Sequence, residues 1–263
     1  MEGAGSYFER RGDDTFEATR ATESPWDARL QHGGPPTALL ARTMLANHRR
    51  DDMRLARITT DFLGPIPRAV VEIRTRVVRP GKRIELLEAT MASGGRDVVT
   101  ARAWRIVVQA PGSIPPGVTP PDPVPGRPAA EEPPRWLRGW GYGESLEWRY
   151  AGGSPESPGP AAAWARLRVP LIADEPTAPL DRALVLVDSA NGISGELPMS
   201  DWLFVPPSLT VALERYPRGE WVLLEARTVL GDDGLGTCVA RLADDDGYFG
   251  HALQSLYVEP RAR

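Results

Sequence analysis

Apolar and polar side chains alternate along most of this chain, and only two stretches space them as a helix would. In Val71-Glu72-Ile73-Arg74-Thr75-Arg76-Val77 successive residues turn to opposite sides, as they do in an antiparallel strand with one face in water. The same reading predicts strands at 57–63, 69–78, 83–93 and 98–108, and again at 208–215, 220–230, 237–244 and 248–258. Ahead of each run of four stands one helix. The first covers about 35–47, with Leu40, Ala41, Met44 and Leu45 at helical spacing, and the second about 180–189, "LDRALVLVDS". Segments 15–21, 147–150 and 163–169 supply further strands.

A helix followed by four strands therefore occurs twice. Laying 58–108 on 208–258 without a gap brings turns onto turns: Pro67-Arg68 on Pro217-Arg218, Gly81 on Gly231, Leu63 on Leu213. Identities are few, so the shared order and spacing carry the inference of an internal duplication. On this alignment Gln254 falls on Trp104. One half then carries a polar group where the other carries bulk, which points to one site per chain. A sheet wrapped round one helix, repeated once, is an α+β plan, here expected as a double hot-dog. Residues 1–110 would form the N-terminal hot-dog and 135–263 the C-terminal one. Between them, 111–134 holds ten prolines in 24 residues, which excludes a helix or central strand and predicts a semi-rigid connector outside the sheets.

Composition narrows the function by exclusion. The 263 residues are 41% hydrophobic and 25% charged, ordinary for a soluble globular protein with a sizeable core. A net charge of −4 with both signs interspersed gives no electrostatic case for nucleic acid or an anionic membrane as partner. Cys238 is the single cysteine, so no intramolecular disulfide forms. No apolar leader is spelled at the start, and a cytoplasmic location is expected. Three separated histidines and one cysteine spell no zinc cluster, and neither a phosphate-binding loop nor a dinucleotide fingerprint appears. No metal or cofactor is expected. A Gly-x-Ser-x-Gly elbow is also missing, which argues against a serine-dependent hydrolase.

Candidate chemistry gathers at three places. "HGGPPTALLA" starts the first helix with His32, Gly33 and Gly34 ahead of two prolines. Proline is tolerated in a first turn, and the glycines leave backbone N–H groups open to close approach. This is a plain helix start or a seat for a negatively polarised oxygen. Asp188 follows four apolar residues in "LVLVDSANG", where a carboxylate is costly unless it has partners or a task. Gln254 shares a strand face with Ala252 and Leu256. His32 reads first as a structural hydrogen-bond donor, with a proton shuttle as the alternative.

Five segments, "HGGPPTALLA", "EWRYAGG", "AWARLRVPL", "PLDRALVLVDSANGIS" and "HALQSLYVEPR", in this order and spacing resemble the bacterial acyl-CoA thioesterase II-like family of double hot-dog proteins. The likeness is strongest to its actinobacterial thioesterase-like branch. The resemblance implies hydrolysis of acyl-CoA or another acyl-thioester without metal, cofactor or covalent nucleophile. Water would be activated by an aspartate, a hydroxyl residue and a glutamine, which carry over to Asp188 and Gln254. It also tips the reading of Gly33 and Gly34, with His32 before them, toward an oxyanion hole for the thioester carbonyl. The hydroxyl is where the chain departs: Pro206 stands at the family's threonine, leaving Ser208 and Thr210 as the nearby candidates on what alternation makes one face with Pro206. Ser208, Ala212 and Glu214 replace further family residues. Two alternatives remain: a hot-dog enoyl-thioester hydratase or dehydratase, and a non-catalytic acyl-thioester binding protein. Eight tryptophans, several beside predicted strand ends, predict a homo-oligomer that covers exposed sheet.

Overall fold

A computed structural model describes residues 5–261 apart from 111, 116, 118–121, 131–136 and 155. Its first half contains β1 (Phe8–Arg10), β2 (Thr15–Ala18), helix α1 (Gly34–Asn47), β3 (Met53–Phe62), β4 (Val70–Arg79), β5 (Ile84–Ser93) and β6 (Arg96–Val107). The second contains α2 (Gly141–Glu144), β7 (Leu146–Ser154), β8 (Ser157–Leu167), α3 (Pro179–Val187), α4 (Ala190–Ile193), β9 (Trp202–Leu213), β10 (Val222–Leu230), β11 (Leu235–Asp244) and β12 (Gly247–Pro260). The strands join in one sheet in the order β1-β2-β4-β5-β6-β3-β9-β12-β11-β10-β8-β7. Outward from the central β3–β9 pair, the two halves repeat the same sequence of strands, which is the double hot-dog plan. The short α2 and α4, and β1, were not foreseen from the patterning.

Alternation decides what the sheet buries. On β12, Ala252, Gln254, Leu256 and Val258 are buried while His251, Leu253, Ser255 and Tyr257 are exposed. The inner face wraps α1, whose residues from Gly34 to Ala41 are all buried, as befits a helix apolar on every side. Leu39, Leu40 and Met44 are wholly buried, each contributing about 1.5–3 kcal/mol from apolar area removed from water. Helix α3 packs beside α1 inside the same shell.

Two matched bulges fix the true equivalence of the halves. Between β5 and β6 the register jumps over Val98, and between β11 and β12 it jumps over Phe249. Val98 thus corresponds to Phe249, and Ala103 to Gln254, one residue beyond the ungapped alignment. A slip of one residue turns a side chain to the other face. Trp104 is accordingly not the counterpart of Gln254: it stands outward, with the Arg79 guanidinium 5.9 Å from its ring, and the small Ala103 takes the inward place, 1% exposed. With this equivalence the pseudo-twofold axis passes between Thr59 and Thr210, paired across β3–β9, whose hydroxyls meet at 3.0 Å.

Part of the proline stretch (111, 116, 118–121 and 131–134) lies outside the described residues. Its middle does not stand clear of the sheet. The Trp164 indole N–H donates to the Pro125 carbonyl at 3.0 Å, Arg149 donates to that of Pro128 at 3.1 Å, and the Arg127 guanidinium lies 4.7 Å from the Trp221 ring. Among the described residues, no helix is long and apolar enough to cross a membrane.

Candidate active site

Asp188 caps the C-terminus of α3, 6% exposed in the seam where α3 runs beside the start of α1. Its carboxylate is surrounded by donors from both halves. Gly33 N–H donates to Oδ2 at 2.9 Å, and Gln254 Nε2 donates to Oδ1 at 2.9 Å. His32 Nδ1 lies 3.1 Å from Oδ2. Gln254 is completely buried, and its orientation is fixed from behind, because Asn191 N–H donates to its Oε1 at 3.2 Å. That contact leaves only the amide nitrogen to face Asp188. The structure therefore brings together Asp188, Gln254, His32 and Gly33, while Asn191 escaped the sequence reading.

The paired glycines have steric reasons. A Cβ on Gly34 would stand 2.0 Å from the Val185 carbonyl oxygen, so only glycine lets the two helices approach this closely. A Cβ on Gly33 would stand 2.9 Å from Asp188 Oδ2 and 2.6 Å from the Phe62 ring, which would close the approach of the carboxylate. The following Pro35 and Pro36 have no N–H, so Gly33 and Gly34 supply the remaining donors of the first turn. The expectation of bare N–H groups is corrected here. Gly33 N–H is taken by Asp188, and Gly34 N–H points at His32 Nδ1, 3.4 Å away. The positive end of α1 is spent on holding an anionic side chain.

The hydroxyl candidates are corrected as well. Ser208 pairs with Asp61 and Ser255, both exposed, and Thr210 pairs with Thr59 and Leu253. Both face outward, on the opposite side of the sheet from Asp188. Pro206 and Pro207 sit where the β9–β12 register shifts, across from Leu256, because proline cannot donate to the ladder. That bulge reverses the alternation, so Pro206 does not share a face with Ser208 and Thr210. Both prolines line the same cavity as Asp188. Ser189, next to Asp188 in the chain, and Tyr142 line the same cavity, their hydroxyls bonded to each other at 2.9 Å.

That cavity has a volume of about 1020 Å³. Trp26, Phe62, Trp140, Tyr142, Trp148 and Phe204 form much of its wall, and Asp188, His32, Gly33 and Asn191 open on it. A chamber so apolar with a few convergent polar groups suits a small-molecule substrate. Trp140 and Tyr142, around α2 just beyond the proline stretch, had no signal in the periodicity. Tyr142 stacks on the His32 ring at 4.0 Å and 9°, and its hydroxyl donates to the Val185 carbonyl at 2.9 Å. Burial pushes the Tyr142 phenol well above its ordinary pKa. Burial also holds the His32 imidazole below its ordinary value, against the smaller opposing pull of Asp188.

Comparison with known proteins follows this geometry. None of the curated proteins matches the chain in sequence. Solved structures share the fold across nearly the whole length. A conserved protein of unknown function with a hot dog fold from Alicyclobacillus acidocaldarius is 18% identical with a TM-score of 0.72, over 98% of this chain and 97% of that one. An acyl-CoA thioesterase II, TesB2, from Mycobacterium marinum is 12% identical with a TM-score of 0.69, over 97% and 95%. The tesB protein of Mycobacterium avium subs paratuberculosis is 15% identical with a TM-score of 0.65, over 96% of each. Family profiles go further: the acyl-CoA thioesterase N-terminal domain matches residues 22–106, which hold His32 and Gly33, and the acyl-CoA thioesterase C-terminal domain matches 120–258, which hold Asp188 and Gln254. The chain belongs to the acyl-CoA thioesterase family and is a thioester hydrolase built from both of its domains.

Proposed function

We propose that the chain hydrolyses acyl-CoA thioesters to free acid and CoA, with the acyl group in the aromatic-walled cavity and water activated beside Asp188. The observation that carries this reading is the convergence of donors on the Asp188 carboxylate at the cavity wall: Gly33 N–H and Gln254 Nε2, each at 2.9 Å. Asp188 supplies the negative charge and Gln254 fixes its orientation. The Gly33 and Gly34 N–H groups at the positive end of α1 are engaged by Asp188 and His32, so α1 acts on the thioester carbonyl through its dipole alone. A panel of acyl-CoAs with a thiol-reactive chromophore tests it. Release of free CoA is expected, and no release from any member overturns the reading.

The His32–Asp188 contact of 3.1 Å favours a second reading, hydration of enoyl-thioesters, because that reaction moves protons at two carbons. Loss of enoyl-CoA absorbance without CoA release would select it. Binding without either change would select a non-catalytic acyl-thioester protein. The assembly we propose is a homo-oligomer through the outer face of the sheet. There Val229, Val239 and Leu253 are 51%, 50% and 47% exposed, and small residues such as Gly152 and Ala162 line a shallow groove, a surface fit for a second copy. Light scattering that returns the 28.7 kDa of one chain at micromolar concentration rejects that assembly.

A further inference from the structure

The cavity beside Asp188 has a rim that the chemistry at the carboxylate does not use. Residues 24–30 close into a loop, with Ser24 N–H donating to the Leu30 carbonyl at 2.8 Å. Trp26, Asp27, Ala28 and Leu30 of that loop line the cavity. Two exposed arginines are fastened to this wall from outside. Arg68 Nε donates to the Ala28 carbonyl at 2.8 Å, and its backbone N–H donates to that of Arg29 at 2.8 Å. Arg261 Nη1 donates at 3.0 Å to the carbonyl of Met199, another wall residue, and its guanidinium lies 5.9 Å from the Trp26 ring. Both guanidinium groups are therefore anchored by neutral carbonyls, and among the described residues neither makes an ion pair. The neighbouring acids are already engaged. Asp27 pairs with Arg29 at 2.7 Å, Glu23 accepts from Gly141 N–H and faces Arg20 at 3.6 Å, and Glu259 accepts from the Tyr257 hydroxyl.

Resting on the thioester-hydrolase reading, we propose that Arg68 and Arg261 bind the phosphates on the adenosine portion of CoA, and that the thioester carrier is therefore CoA itself. A guanidinium with its outer N–H groups open is matched to phosphate, which accepts from it in a fork. Arg68 spends only Nε on the wall and keeps both Nη groups for this contact. The interior suits the rest of the molecule. Its volume of about 1020 Å³ lies at the upper end for small-molecule sites, room for an acyl group with the uncharged pantetheine arm. Asp188 inside it is an anion that repels phosphate, so the charged end of CoA stays out at the rim. No bond changes there; the rim supplies binding and selects the leaving thiol.

The test compares one acyl group carried by CoA and by pantetheine, which has the same arm without the adenosine phosphates. The reading is the ratio of the two kcat/KM values, in which the folded fraction of any variant cancels. Wild type should prefer CoA, and Arg68→Ala/Arg261→Ala should lower the ratio by about tenfold or more, the loss typical of hydrogen bonds to charged groups. Added salt should lower the ratio in wild type and leave it flat in the double variant. A wild type without preference for CoA, or a double variant that keeps the wild-type ratio within twofold, overturns the proposal. If the double variant does not fold, Arg68→Ala and Arg261→Ala are read singly, and two folded singles with the wild-type ratio refute it. A wild type that releases thiol from neither substrate removes the hydrolase reading and not the rim. Calorimetry with CoA then decides: binding that the double variant loses supports the rim, and binding that is unchanged in the variant or absent in wild type overturns it.

Discussion

Replacing Asp188 by Asn keeps the shape of the side chain and removes its ability to accept on both oxygens. The amide can sit two ways, and each fails at a named contact. With its NH₂ toward Gln254, two amide NH₂ groups face each other, and Gln254 cannot turn without giving up the Asn191 N–H bond to its Oε1. With its NH₂ toward α1, the Gly33 N–H loses its acceptor. One buried donor is stranded in either pose, a cost of about 1–3 kcal/mol. For a chain of this size that lowers Tm by roughly 2–4 °C per kcal/mol. Turnover suffers more, because the negative charge at the cavity wall is gone. We expect kcat to fall by about two to four orders of magnitude. Continuous CoA-release assays and a thermal melt on the same sample measure both. Wild-type turnover with an unchanged Tm in Asp188→Asn would refute the reasoning.

Gln254→Leu should lower kcat less than Asp188→Asn does, by about one to two orders of magnitude, since it takes no proton; a larger loss than that of Asp188→Asn would reverse their roles. Gly34→Ala forces its Cβ against the Val185 carbonyl oxygen 2.0 Å away, so α1 and α3 must part, and a thermal melt should show a loss at or above the 1–3 kcal/mol typical of overpacking, roughly. Ser208→Ala and Thr210→Ala, on the outer face, should keep kcat/KM within about twofold, as expected of surface changes away from the chemistry; a hundredfold loss in either would return the hydroxyl to that strand.

The repeated order of helix and strands was legible because each element carries its own period, and the long strands β4, β5 and β6 fall within a residue or two of the expected spans. Asp188 and Gln254 were legible for a different reason: each is a polar residue set in an apolar run, and the resemblance supplied their pairing. What failed were statements of facing. A bulge inserts a residue without a visible mark, so Trp104 was matched to Gln254 when Ala103 is its counterpart. The Pro206-Pro207 bulge misdirected Ser208 and Thr210 in the same way. Contacts such as Tyr142 on His32, 110 positions apart, leave no local signature.

The joint between β3 and β9 has a bearing on how such a molecule can be taken apart. His32 and Gly33 come from one half, Asp188 and Gln254 from the other, and five paired positions from Arg57 to Asp61 on β3 stitch them together. On the proposed reading, catalytic competence is thus a quaternary-type property folded into one polypeptide. A cut within the proline stretch would yield two inert fragments whose activity returns only as they find each other, rising with the product of their concentrations. The covalent connector converts that bimolecular search into a local one, and the docking of its middle on Trp164 and Trp221 shortens the search still further.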